Sequence, residues 1–324
     1  MPSPLATPTP SSPLIYGCMM IGGAFDNSCL DGEQRKKARA AIRAALDCGL
    51  NFFDHADIYC FGKSETVFGE FLADNPGLRE KIIIQSKSGI CLPNQPREGL
   101  TGRFDLSFEH IVDAVDGSLK RLRTDYLDLL LLHRPDPLVE PDEVARAFDL
   151  LHRTGKVRQF GVSNHSAVQI DLLKASVDQP IVVNQIEYSP LHTVLHDAAI
   201  HANMKRPQYG NPGEGIIEYC QRHGIALQAW RPLANGLLTG RSSEAAESRI
   251  KKATTLIERL AREKNVSREA VVVAWILRHP ARIMPVLGTT NPDRLRACCE
   301  ASKIRLSRIE WYEIYTTALG HEVP

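Results

Sequence analysis

The residues of this chain that can do chemistry sit at the C-terminal ends of strand-like runs, and that placement restricts the fold more than any other feature. Asp54 closes Asn51-Phe-Phe-Asp54. Lys87 follows Lys81-Ile-Ile-Ile-Gln-Ser86, and His133 follows Tyr126-Leu-Asp-Leu-Leu-Leu-Leu132. Ser163 and Asn164 follow Gln159-Phe-Gly-Val162. Gln185 lies in Val182-Val-Asn-Gln-Ile186, and Trp230 closes Ala226-Leu-Gln-Ala-Trp230. Gly288, Thr289 and Thr290 follow Ile283-Met-Pro-Val-Leu287. Residues so far apart in sequence converge when eight such strands are parallel and closed into a ring. The spacing therefore predicts a (β/α)8 barrel (TIM barrel) with additional C-terminal helices and an active site at the C-terminal strand ends.

Helical signals fill the intervals. A first helix runs from about Asp31 to Asp47, a second starts near Ser64, and a third starts after Ser107. Ile111, Ala114, Val115, Leu119 and Leu122 give that third helix one apolar face at the 3.6 period. Pro141 opens a fourth helix, Ser166 caps a fifth, and residues 213–223 form a sixth. Helices at 244–264, 267–278 and 307–319 follow, with another starting at Asn291. No linker divides the chain, so residues 14–324 read as a single domain behind a disordered leader, 1–13, rich in Pro, Ser and Thr. Two irregular stretches, 91–104 and 192–212, follow strand ends and are expected to overhang the site.

Composition excludes several functions. A net charge of +1 over 324 residues predicts no nucleic-acid partner and no attraction to an anionic membrane. No apolar run reaches the ~18 residues of a membrane span. The eight cysteines show no metal-type spacing, so the expectation is no metal and reduced thiols in a cytoplasmic protein. Gly62-Lys-Ser64 ends like a phosphate loop, but Asp57 stands where that loop needs glycine.

Asp54-His-Ala-Asp-Ile-Tyr59 places a carboxylate at a strand end and a phenol five residues on. Lys87 beside Tyr59, held by Asp54, would favour tyrosinate and lower the phenol pKa below that of a free phenol. Such a tyrosine is a general acid near neutral pH. His133 would orient a substrate carbonyl. The reaction class is then carbonyl reduction, with the hydride supplied by a cofactor.

These residues carry a resemblance. Phe53-Asp-His-Ala-Asp-Ile-Tyr59, Leu127-Asp-Leu-Leu-Leu-Leu-His133, Gly161-Val-Ser-Asn164 and Asn184-Gln185 resemble motifs of the aldo-keto reductase family, over nearly the whole chain. The ending Ala318-Leu-Gly-His-Glu-Val-Pro324 looks like a bacterial oxidoreductase branch of it. The resemblance implies a catalytic tetrad of Asp54, Tyr59, Lys87 and His133. It implies that Ser163, Asn164 and Gln185 hold the nicotinamide carboxamide and that Trp230 stacks on the ring. Leu233 to Gly240 resembles a loop folding over the pyrophosphate. Gly288, Thr289, Thr290, Asn291 and Arg294 match the segment that binds the adenosine 2′-phosphate. NADP(H) is thus the preferred cofactor, with NAD(H) as the other candidate. No Gly-x-Gly-x-x-Gly follows a strand, which excludes the Rossmann mode.

Several positions depart from the family pattern. Gly288 stands where lysine is common, Ala297 and Cys298 replace a polar adenine-contacting pair, and Arg231 stands beside the stacking tryptophan. Arg231 reads either as a surface arginine or as a contact to cofactor or acidic substrate. Met19 and Cys60 are expected to line the substrate entrance, with Arg97, Arg103, Lys205 and Arg206 at its rim. The substrate class, a small-molecule carbonyl or alcohol, is left open among sugar-derived, aromatic and acidic compounds. Two other functions stay open: a regulatory or binding protein on this scaffold with little turnover, and a lyase using Lys87 as a Schiff base.

Overall fold

The computed structural model describes residues 9–95, 97–200, 215–241 and 247–323. Ten strands form, β1 (Ile15–Gly17), β2 (Phe52–Asp54), β3 (Ile83–Ser88), β4 (Ile90–Cys91), β5 (Arg103–Phe104), β6 (Leu127–Leu132), β7 (Val157–Ser163), β8 (Ile181–Glu187), β9 (Ala226–Trp230) and β10 (Met284–Leu287). Eight of them close in the order β1-β10-β9-β8-β7-β6-β3-β2, the expected barrel. The pairs β1/β2, β2/β3, β3/β6, β6/β7 and β9/β10 are parallel. Every residue of β3 and β6 is buried, as parallel strands under helices require.

Eleven α-helices appear among the described residues: α1 (Gly32–Asp47), α2 (Lys63–Ala73), α3 (Phe108–Leu122), α4 (Pro141–Arg153), α5 (Ala167–Lys174), α6 (Val194–Ile200), α7 (Ile216–His223), α8 (Ser248–Lys264), α9 (Arg268–Leu277), α10 (Pro292–Cys299) and α11 (Arg308–Leu319). The sequence signals acted as expected at their starts. Asp31 and Ser107 accept from the third backbone N–H of α1 and α3. Ser166 with Gln169 and Ser307 with Glu310 form capping boxes. None of these helices is long and apolar enough to cross a membrane.

The structure adds elements that the sequence reading lacked. The 91–104 stretch folds back as the antiparallel hairpin β4–β5, α6 occupies part of the 192–212 stretch, and Ala234–Thr239 is a 3-10 segment. Thr9–Pro13, read as leader, is anchored. Ser11 donates from its backbone N to Asn51 Oδ1 at 2.8 Å and from Oγ to Gly49 O at 2.6 Å. Leader residues 1–8, loop residues 201–212 with Lys205 and Arg206, and the first residues of the helices expected from 213 and 244 lie outside the described residues.

The chain divides into two compact units, Met1–Asn184 with Gly288–Thr290, and Gln185–Leu287 with Asn291–Pro324. In the first, two glycines permit close approach. A Cβ at Gly161 would stand 2.6 Å from Leu131 Cδ2, and one at Gly69 would stand 2.1 Å from Arg121 O. At the N-terminal strand ends, Arg79 and Arg158 lie over the Tyr126 ring at 3.7 and 3.8 Å, and both pair with buried Asp128. Charges at that end of a barrel serve stability.

In the second unit, Trp275 and Trp311 stack at 4.8 Å, and each indole N–H donates to the other's backbone carbonyl at 3.1 Å. Tyr188 stacks on Trp275, and Tyr315 donates to Asp197 at 2.6 Å. These contacts tie β8 and α6 to α9 and α11.

Candidate active site

Within the first unit the tetrad residues converge. β2 ends at Asp54, and the next turn carries Tyr59. The neighbouring β3 carries Lys87, and β6 leads directly into His133. The Lys87 ammonium is fully buried and reaches oxygens of three residues. It stands 2.7 Å from Asp54 Oδ1, and it donates to His55 O at 2.9 Å and to the Tyr59 hydroxyl at 2.9 Å. The Tyr59 and His133 rings meet edge to face at 5.8 Å.

A buried ammonium without partners would be costly, and this one is saturated. Burial works against its charge, but Asp54 and Tyr59 outweigh that and hold it above the ordinary lysine range. The phenol answers differently from the sequence expectation. Burial raises the Tyr59 pKa above its ordinary value; Lys87 lowers it without reversing the shift. The expectation of a phenol below its free value is therefore corrected, because desolvation exceeds the attraction of the ammonium. Burial, then the charges of Lys87 and Arg134, pushes His133 far below the usual imidazole value, so the ring is neutral. His133 Nδ1 is buried with no hydrogen-bond partner.

Three neighbours were missed. Gln85 donates from Nε2 to Asp54 Oδ1 and helps fix the carboxylate. The alternation of a strand puts residues 85 and 87 on one face, so its position was readable. His55 is buried with both ring nitrogens unpartnered, and burial with the Lys87 charge takes its pKa to about 3. Asp57 has a sealed, unpartnered Oδ1; burial and the nearby Glu65 push it up to about 8. Glu65 itself is buried under Ser86 Oγ at 2.6 Å and Arg121 Nε at 2.8 Å.

Of the expected substrate residues, Met19 is exposed. Cys60 is not at an entrance. With φ at 49° its buried thiol points to Met19 O at 3.1 Å and Gly23 O at 3.2 Å. Arg97 and Arg103 are exposed.

The cofactor positions divide between the units, and each set stands in its own surroundings. In the first, Ser163 is buried and its Oγ accepts from Asn164 Nδ2 at 2.8 Å. Thr289 O accepts from Tyr16 OH at 3.2 Å, and Thr290 is half-buried. Gly288 is exposed with open space where a side chain would stand. In the second, Gln185 donates to Gln228 Oε1 at 2.8 Å. Arg231 lies 5.3 Å from the Trp230 ring centroid and 3.8 Å from Glu187. Leu233 O accepts from Gly236 N at 2.7 Å, opening the 3-10 segment. Asn291 Oδ1 takes the backbone N–H groups of Asp293 and Arg294 at 2.9 and 3.0 Å. Two backbone amides at the start of α10 are thus already engaged. The Arg294 guanidinium is 3.9 Å from Glu269.

Comparison with known proteins agrees. The model of the aldo/keto reductase family matches residues 13–317. A 6-dehydroglucose reductase of Agrobacterium fabrum is 36% identical over 313 residues, covering 96% of this chain and 96% of that protein. The oxidoreductase YdhF of Escherichia coli is 37% identical over 284 residues, 87% of this chain and 88% of its own. Among solved structures, a glycerol dehydrogenase from Gluconobacter oxydans superposes with a TM-score of 0.80 at 25% identity, over 97% of this chain and 93% of the other.

Proposed function

The chain belongs to the aldo/keto reductase family and is an NAD(P)H-dependent oxidoreductase acting on carbonyls; on that premise we propose that it reduces an aldehyde or ketone to the alcohol with NADPH preferred and Tyr59 as proton donor. The observation carrying this reading is the Lys87 ammonium shared by Asp54, the His55 carbonyl and the Tyr59 hydroxyl at 2.7–2.9 Å. Asp54, fixed by Gln85, keeps Lys87 charged and in place. Lys87 counters the desolvation of Tyr59 and stabilises the tyrosinate left once the phenol has given its proton to the developing alkoxide.

His133 is neutral, and its sealed Nδ1 has no acceptor for a hydrogen. An N–H buried without a partner costs free energy, so the ring proton belongs on Nε2, where it donates to the substrate oxygen. A bound nicotinamide would supply the hydride. Ser163, Asn164 and Gln185 would hold its carboxamide and Trp230 its ring face. Thr289, Thr290 and Arg294 would take the 2′-phosphate, while Gly288 contributes no side chain. Two hydroxyls and a guanidinium would suit a phosphate monoester, which supports NADP(H) over NAD(H). The named activity of the Agrobacterium relative supports an oxidised sugar as the first carbonyl to try.

Tyr59→Phe tests the reading. Reduction should fall by the ~10²–10⁴-fold of a lost general acid, with calorimetric NADPH affinity almost unchanged. Activity within a few-fold of wild type would remove Tyr59 from the mechanism. A wild-type protein that binds NADPH yet turns over no carbonyl would favour the regulatory role.

A further inference from the structure

Cys91, Asp105 and His110 are scattered in sequence but meet beside the hairpin that follows the strand of Lys87. Cys91 pairs with Arg103 and Ile90 with Phe104, and the Asp105 N–H then donates to Gly89 O at 3.1 Å. Opposed residues of an antiparallel pair share a face, as do residues two apart. Cys91 and Asp105 therefore project to one side. Ser107 caps α3 and accepts from the backbone N–H of His110 at 3.3 Å, which fixes His110 in the first turn. One ligand atom from each of the three side chains lies within 4.8 Å of the other two.

Among the described residues each of the three side chains keeps a ligand atom that no other group engages. Asp105 Oδ1 accepts from Ser107 N at 3.1 Å and Ser107 Oγ at 2.7 Å, and no hydrogen bond falls on Oδ2. The Cys91 thiol and the His110 ring have only each other, at 3.9 Å. That is too long for a strong hydrogen bond. Cys91 is buried, and the other two are half-buried.

We propose that Cys91, Asp105 and His110 form a zinc site that pins the β4–β5 hairpin to the first turn of α3. A thiolate, an imidazole and a carboxylate together suit a borderline-soft divalent cation, with a fourth tetrahedral position left for water. Tetrahedral bonds of about 2.0–2.3 Å to the metal place ligand atoms roughly 3.3–3.8 Å apart. Closure on an ion thus takes side-chain rotation on a backbone already positioned. A zinc-bound cysteine is a thiolate, so binding displaces the thiol proton: Cys–SH and Zn²⁺ give the zinc thiolate and H⁺.

The test uses the full chain, stripped with a chelator and titrated with Zn²⁺ and separately with Co²⁺. One Zn²⁺ should bind per chain with release of about one proton at pH 7. Cobalt should give a near-ultraviolet thiolate charge-transfer band. Loss of an outer partner alone costs a metal site roughly 10–100-fold, so Cys91→Ser and His110→Ala should each weaken zinc by about 100-fold or more. Cys29→Ser, at an exposed thiol, should change nothing. A wild-type protein that gives no cobalt band overturns the proposal without reference to any variant. So does zinc affinity that survives both substitutions in proteins with native circular dichroism.

Discussion

At the scale of single residues, Lys87 is the group on which the others depend, and its removal is informative. Lys87→Met deletes the ammonium and keeps most of the stem. Tyr59 then keeps its desolvation and loses the charge that opposed it. Its pKa should rise further, and the basic limb of kcat/KM for reduction, which reports the acid of the free enzyme, should move to higher pH as the rate falls. A limb that stays put, with chemistry rate-limiting, would separate Lys87 from Tyr59. The tetrad was legible because each member stands at or just past a strand end, where a barrel gathers its chemistry. The Tyr59 shift was not, since neighbouring charges can be read from a sequence and the depth of a pocket cannot. Cys60 misled for a local reason: its backbone is left-handed and its buried thiol faces the carbonyls of Met19 and Gly23.

At the scale of elements, the sequence is most readable where one signal acts alone. Asp31, Ser107, Ser166 and Ser307 announce helix starts that tertiary contacts do not alter. The two-residue strands β4 and β5 have no periodicity to detect, and their pairing depends on Gly89 and Asp105 as much as on themselves. The α2–α3 contact is equally hidden, since it depends on what Gly69 lacks. Gly69→Ala would drive a methyl into the Arg121 carbonyl, which sits on backbone and cannot swing aside. The helices must part, at a cost of about 2–3 kcal/mol, read as a lower urea midpoint with unchanged slope. A loss below about 0.5 kcal/mol, the range of ordinary surface changes, would mean that the helices part freely.

For the whole molecule, buried histidines set the response to acid. Burial takes His55 and His196 to about 3 and His165 to about 4, in each case as the largest cause. Each is depressed below its unfolded value of about 6.5, so its stabilisation is present above that value and is lost as pH falls toward the folded one. Asp57 is raised to about 8, so its contribution is present at low pH and lost as pH rises through that range. These three histidines, with His133 lowered by burial as well, outnumber one aspartate, and the urea midpoint should drop between pH 6.5 and 5, before ordinary carboxylates protonate. A flat midpoint across that interval would mean that the three rings reach water in the fold. The closed order of eight strands was readable from the spacing of strand ends; the division into two compact units was not, because no linker in the sequence marks it. The stacked pair in the second unit has an optical consequence. The chain has three tryptophans, and two of them, Trp275 and Trp311, face each other at 7°, each indole N–H donating to the other's backbone carbonyl. Their transitions couple, so near-ultraviolet dichroism reports whether that unit is intact. The remaining indole, Trp230, stands apart from the pair at the end of β9, and its emission gives the protein a built-in reporter of what lies against that ring.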